Sequence, residues 1–201
     1  MGWDGKLPPA HWAPFLDAIQ GLFECIRGHW SFIPAYRMNN RSLRKMATVA
    51  RMPTDPDKPV FIQAGFIQRG LGFGWRLVDA GRDVNLIRPF FETMPVSVGA
   101  VFLEAPEDVV IARNNARKLV PETAHEDRAY QVPLMREPIR IAKEVLRGRG
   151  VPVLELDVTQ SIEQSRRVLV EFSNREPFDP EAHGPQCEVA VLSPPDWVAR
   201  S

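Results

Sequence analysis

The chain is poor in the residues that most directly advertise chemistry. It has two cysteines, Cys25 and Cys187, and four histidines scattered along 201 residues. Neither set has the spacing of a zinc site, and the cysteines have no redox spacing, so neither a metal centre nor a thiol enzyme is indicated. No apolar run approaches the roughly 18 residues that would span a bilayer. The start lacks a basic stretch followed by an apolar one. A soluble cytoplasmic protein is therefore expected. Net charge is missing too: Lys+Arg and Asp+Glu both count 25. No global field draws the chain to nucleic acid or to a membrane, although a local cationic groove stays open. Gly-Lys occurs once, as Gly5-Lys6 before Leu7 and two prolines. Without a preceding strand or the earlier glycine of a phosphate loop it is not the phosphate-cradling G-x-x-x-x-G-K-[ST].

What is present suits one domain with a tail. Hydrophobic residues make up 44% of the chain, enough for a core, and 19 prolines gather in the connections and near the end. His11 to Arg27 predicts a helix with Trp12, Phe15, Leu16, Ile19, Phe23 and Ile26 on one face and Gly28 as its stop. Ser31 to Met38 is ambiguous, broken by Pro34. Asn40 can cap a basic helix from Arg41 to Arg51, with Leu43 inward and Arg44 on the charged face. Val60-Phe61-Ile62 reads as a short strand ending at Gln63. Beyond it, Arg69 precedes the glycine run of Gly70, Gly72 and Gly74. That spacing is not the dinucleotide fingerprint, and close packing is the better reading of these glycines. Asp83 to Glu92 predicts a helix whose limits Pro89 blurs.

Val98 to Arg117 is the clearest unit. Val98, Ala100, Val101, Phe102 and Leu103 form a strand of the kind covered on both faces. Pro106, Glu107 and Asp108 then suit a helix start. Val109, Ala112, Ala116 and Val120 predict its apolar face, with Arg113 and Arg117 four apart at the edge. Two guanidiniums past the end of a strand are suited to phosphate; on spacing alone, surface charge is the favoured reading. Lys118 to Pro133, with Arg128, predicts a mobile loop or lid. Leu134 to Arg149 reads as a helix with Met135, Ile139, Ala142, Val145 and Leu146 inward. Val151 to Leu156 is a strand ending at Asp157. Ser161 to Gln164 has capping-box form, opening a helix expected to bury Ile162, Val168, Leu169 and Phe172. Residues 1–173 thus form the domain, and 174–201 a proline-rich tail that Trp197 and Val189 to Leu192 could dock.

Strands alternating with helices predict an α/β fold with a parallel sheet flanked by helices, its site beyond the carboxyl ends of the strands. Those ends hold Gln63 to Arg69, Glu104 to Pro106 and Asp157 to Ser161.

In this order the pieces VFIQAGFIQRG, VGAVFLEAPEDVVIARNNAR and IRIAKEVLRGRGVPVLELDVTQSIEQSRRVLVEF resemble the C-terminal two-thirds of a P-loop NTPase of the nucleoside/nucleotide-kinase type, over about Lys58 to Phe172. The resemblance implies a three-layer sheet, ATP with Mg²⁺ as donor, and a small nucleoside- or nucleotide-like acceptor. It implies that Arg113, Arg117 and Arg128 stabilise transferring phosphate. Gln63, Gln68, Arg69 and Arg44 would face the acceptor, and Asp157 and Thr159 the nucleotide. Two departures stand out. The family's first strand and phosphate loop are missing ahead of the first helix, and Gln63 occupies the place of the metal-binding acid. Either the reading frame has lost its beginning or the chain is a degenerate relative, and Gln63 favours degeneration. The alternatives are a non-catalytic kinase-like binding or assembly protein, whose sheet edge the first helix, the tail from Asn174 or another subunit in a homo- or hetero-oligomer would cover, and a sulfotransferase-like enzyme.

Overall fold

The computed structural model describes residues 12–33, 35–37, 43, 65–95, 99–116 and 130–174. The expected helix at Arg41 to Arg51, apart from buried Leu43, and the expected strand at Val60 to Ile62 lie outside them. So do most of the lid segment and the tail.

Helix α1, Ala13–Cys25, forms as its spacing predicts, with Phe15, Ile19, Leu22 and Phe23 buried. Pro14 sits in its first turn, where no hydrogen bond is lost. Gly28, at φ +93°, turns the chain away after it. Residues 32–33 and 35–37 are helical on either side of Pro34.

Helix α2, Phe66–Asp79, contains the whole glycine run. A Cβ on Gly70 would lie 2.5 Å from Cζ of Phe91, and one on Gly74 would lie 2.6 Å from Cβ of Pro138. These glycines let two neighbouring segments press against the helix backbone, as the packing reading expected. A 3-10 turn, Val84–Ile87, is opened by the Asp83 carboxylate accepting from the Asn85 N–H at 2.9 Å. Helix α3, Arg88–Thr93, continues from it with Pro89 in its first turn. Ile87, Phe90 and Phe91 are fully buried. Their aromatic neighbours bind α1, α2 and α3 together, with Phe15 to Phe66 at 4.7 Å and Phe15 to Phe90 at 4.9 Å between ring centres.

Strand β1, Ala100–Glu104, leads into helix α4, Glu107–Ala116. Helix α5, Arg136–Gly148, buries Pro138, Ile141, Ala142, Val145 and Leu146. Pro138 belongs to its first turn and starts the helix rather than kinking it. Strand β2, Val153–Asp157, lies parallel to β1, with Ala100 opposite Val153 and Glu104 opposite Asp157. Helix α6, Ile162–Ser173, opens with both hydrogen bonds of the predicted capping box.

A helix flanks each side of the strand pair. Lys143 of α5 pairs with Glu104 and, at 3.0 Å, with Glu155. Phe172 of α6 closes on Gly99, where a Cβ would lie 2.9 Å from its ring. The result is an α/β arrangement with a two-strand parallel sheet among the described residues. No described helix is long and apolar enough to cross a membrane.

Three expectations about burial are corrected. Strand β1 is not covered on both faces, since Leu103 is 68% exposed beside the buried Phe102. The apolar face assigned to α4 does not enter the core: Val109 is half-buried, and Ala112 and Ala116 are exposed. Those alanines offer too little apolar area to draw the helix inward. Helix α6 buries no residue at all; Ile162 is 81% exposed, and Val168, Leu169 and Phe172 are half-buried. It is held by its cap and one flank. At the start of α5, Met135 and Ile139 pack half-buried against the core, and Ile141 is fully buried beside them.

Candidate functional site

The carboxyl ends of β1 and β2 form the rim where the parallel topology puts a site. The Val158 N–H donates to the Glu104 carbonyl at 2.9 Å, extending the ladder one residue past β2. Arg113, exposed in the last turn of α4, donates through Nη2 to the Val158 carbonyl at 3.0 Å. This is its only hydrogen bond among the described residues, out of the five N–H groups a guanidinium carries. Asp157 folds back on its own loop: Oδ1 accepts from the Thr159 hydroxyl at 2.7 Å and from the Thr159 N–H at 2.8 Å. Those bonds hold its carboxyl below the usual range and keep it ionised. The structure therefore brings Arg113, Asp157 and Thr159 together. Arg113 is the cation with donors to spare, and the other two shape the loop.

The remaining predicted residues divide. Gln63, Arg44, Arg117 and Arg128 lie outside the described residues. Gln68 is exposed in the first turn of α2. Arg69 is half-buried, and its Nε is buried with no hydrogen-bond partner among the described residues. Burial lowers its pKa. Two turns further along α2, Arg76 is 7% exposed and is brought down to about 10, first by burial and then by the charge of Arg69. Its Nε donates to the Ser31 hydroxyl at 2.6 Å, and its guanidinium lies 4.4 Å from the Trp75 ring centre. Two cations sense one another here, and among the described residues neither forms an ion pair with a carboxylate.

A second cluster escaped the sequence reading. His29 Nε2 lies 2.7 Å from Asp79 Oδ2, and Nδ1 lies 2.8 Å from the Ser31 hydroxyl. The Ser31 backbone N–H also points at Nδ1, at 3.2 Å. Because that N–H can only donate, Nδ1 accepts and Nε2 carries the proton towards Asp79. Asp79 further accepts from Trp30 Nε1 at 3.4 Å and from the Tyr130 hydroxyl. The order Ser–His–Asp is that of an activated nucleophile. Ser31, however, is 3% exposed and held by Arg76. It does not line the adjoining cleft of about 430 Å³ between the ends of α1 and α2, which His29, Trp30, Asp79 and Arg82 border. The chain is thus a polar clasp joining α1, α2 and the helical residues 130–134 at the end of the expected lid. Nothing local in the sequence marks it, because Asp79 and Tyr130 are about 50 residues from and about 100 residues from His29. Among the described residues, no group of three or more His, Cys, Asp or Glu could hold a metal ion.

No family model matches the chain, and neither a curated protein nor a solved structure matches it.

Proposed function

We propose that the chain is a kinase-like relative of the P-loop NTPases that binds a phosphate-bearing ligand along the carboxyl ends of β1 and β2. ATP is the donor and a small nucleoside- or nucleotide-like molecule the acceptor in its phosphotransferase form. The observation that carries the reading is Arg113, exposed and anchored by one N–H to the Val158 carbonyl just beyond two parallel strands, with no other hydrogen bond among the described residues. A charge-assisted pair from a planar guanidinium suits a phosphate oxygen, and an anchored side chain loses less freedom on binding. Arg69, with a buried Nε that has no hydrogen-bond partner among the described residues, supports an anionic acceptor on α2. The described carboxylates do not fit Mg²⁺ in the family's manner, since Asp157 is committed to Thr159. No step is therefore assigned to the metal.

A second reading, a binding protein that does not transfer phosphate, is favoured by Gln63 in place of an acid. Thermal unfolding tests what both share. ATP should raise the midpoint of the full-length chain in a concentration-dependent way. Arg113→Ala should weaken that response about tenfold in apparent Kd, the scale of one charge-assisted bond. An equal response in the variant would remove Arg113 from the site.

A further inference from the structure

Helix α6 carries an uncovered apolar stripe. Ile162, Leu169 and Val170 fall on one side of it, and with Val158 they line a groove of about 500 Å³. Arg166 stands in its wall, while Ile162 is 81% and Val170 48% exposed. A helix with no buried residue and an exposed apolar side, here interrupted by Ser165 and Arg166, is partnered on that side in a stable fold. We infer that the groove is the docking site of this chain's own segment 186–197, with Val189-Ala190-Val191-Leu192 seated against the stripe.

Three observations select this occupant. Helix α6 ends at Ser173, so the segment begins within reach of the groove. The fifteen or so residues from Asn174 to Val189 can extend roughly 50 Å, against about 18 Å for a twelve-residue helix. Charge agrees as well: residues 175–201 carry five carboxylates against two arginines, and Glu188 immediately precedes the apolar run. Opposite it stand Arg166 in the groove wall and the neighbouring Arg167. The apolar run is closed off by Ser193-Pro194-Pro195, which stops it from continuing as a strand along an open edge.

The native Cys187, two residues before Val189, supplies the test. In the full-length chain with Cys25→Ser, Ser165→Cys places a thiol in the groove, while Glu171→Cys places one on another face of α6, six residues nearer the start of the tail, so tethering alone favours position 171. The second variant controls for tethering alone. Docking predicts an intramolecular disulfide to Cys187 that forms at least about tenfold faster from position 165 than from position 171, read by mass spectrometry of the monomer after mild oxidation. Equal rates from the two positions would overturn the proposal. A disulfide found only between two chains would overturn it in favour of exchange with a second copy. Hydrogen exchange on the chain without added thiols gives an independent readout. Val191→Asp should speed exchange across residues 162–170, and unchanged exchange would also overturn the proposal.

Discussion

Asp79 gathers donors from three directions: His29, Trp30 and Tyr130. The Tyr130 bond is the largest influence and, with the His29 and Trp30 bonds, outweighs the opposing effect of burial, holding the carboxyl below its ordinary value. A depressed folded pKa contributes stability that is fully present above the unfolded value of about 3.9 and is lost as pH falls through the folded one. Urea denaturation between pH 2.5 and 6 should therefore show stability falling below about pH 4, with a shallower slope in Asp79→Asn. Identical slopes would mean that the clasp does not act through this charge. The glycines offer a test of opposite signs. Gly70→Ala gains helix propensity but drives a methyl into Phe91 and Phe90, and overpacking costs about 1–3 kcal/mol. Gly148 has nothing within 4 Å of its would-be Cβ, so Gly148→Ala should stabilise by about 0.5 kcal/mol. If both changes proved stabilising, the close approach of α3 to α2 would be wrong.

Among the elements, α6 and α5 respond to loss of local support in different ways. Helix α5 is fixed by five buried side chains, and α6 by its capping box and a half-buried flank. Ser161→Ala removes an acceptor worth about 1 kcal/mol, which corresponds to about fivefold faster amide exchange in the first turn of α6. Because α6 buries nothing, that change should appear as local fraying with little shift in the global midpoint. A large global shift would show that α6 folds as one unit with the core. The elements also show what could be read in advance. The limits of α1, both strands and the capping box were legible, because each depends on residues close together in sequence. The open side of β1 and the exposure of α4 and α6 were not. Periodicity reports that a face is apolar, while burial depends on whether another segment arrives to cover it. The clasp was hidden for the same reason, since His29, Asp79 and Tyr130 meet only in three dimensions.

At the scale of the molecule, aromatic side chains of α1, α2 and α3 and aliphatic ones of α5 form the core, to which the parallel pair β1–β2 and α6 attach at one side. Phe15 lies within ring-contact distance of Trp12, Phe66 and Phe90 and is fully buried. Phe15→Ala should therefore cost about 3–5 kcal/mol by chemical denaturation; a loss below 1 kcal/mol would place it outside the core. Within the candidate site, Arg113 was legible from its distance past a strand, but its anchor on Val158 needed the pairing of β1 with β2. The central claim is that this strand-end rim takes a phosphate-bearing ligand. Calorimetric titration of the full-length chain with ATP, with and without Mg²⁺, tests it most directly. The account predicts saturable binding that weakens in Arg113→Ala; no heat of binding at millimolar ATP in either condition would contradict it.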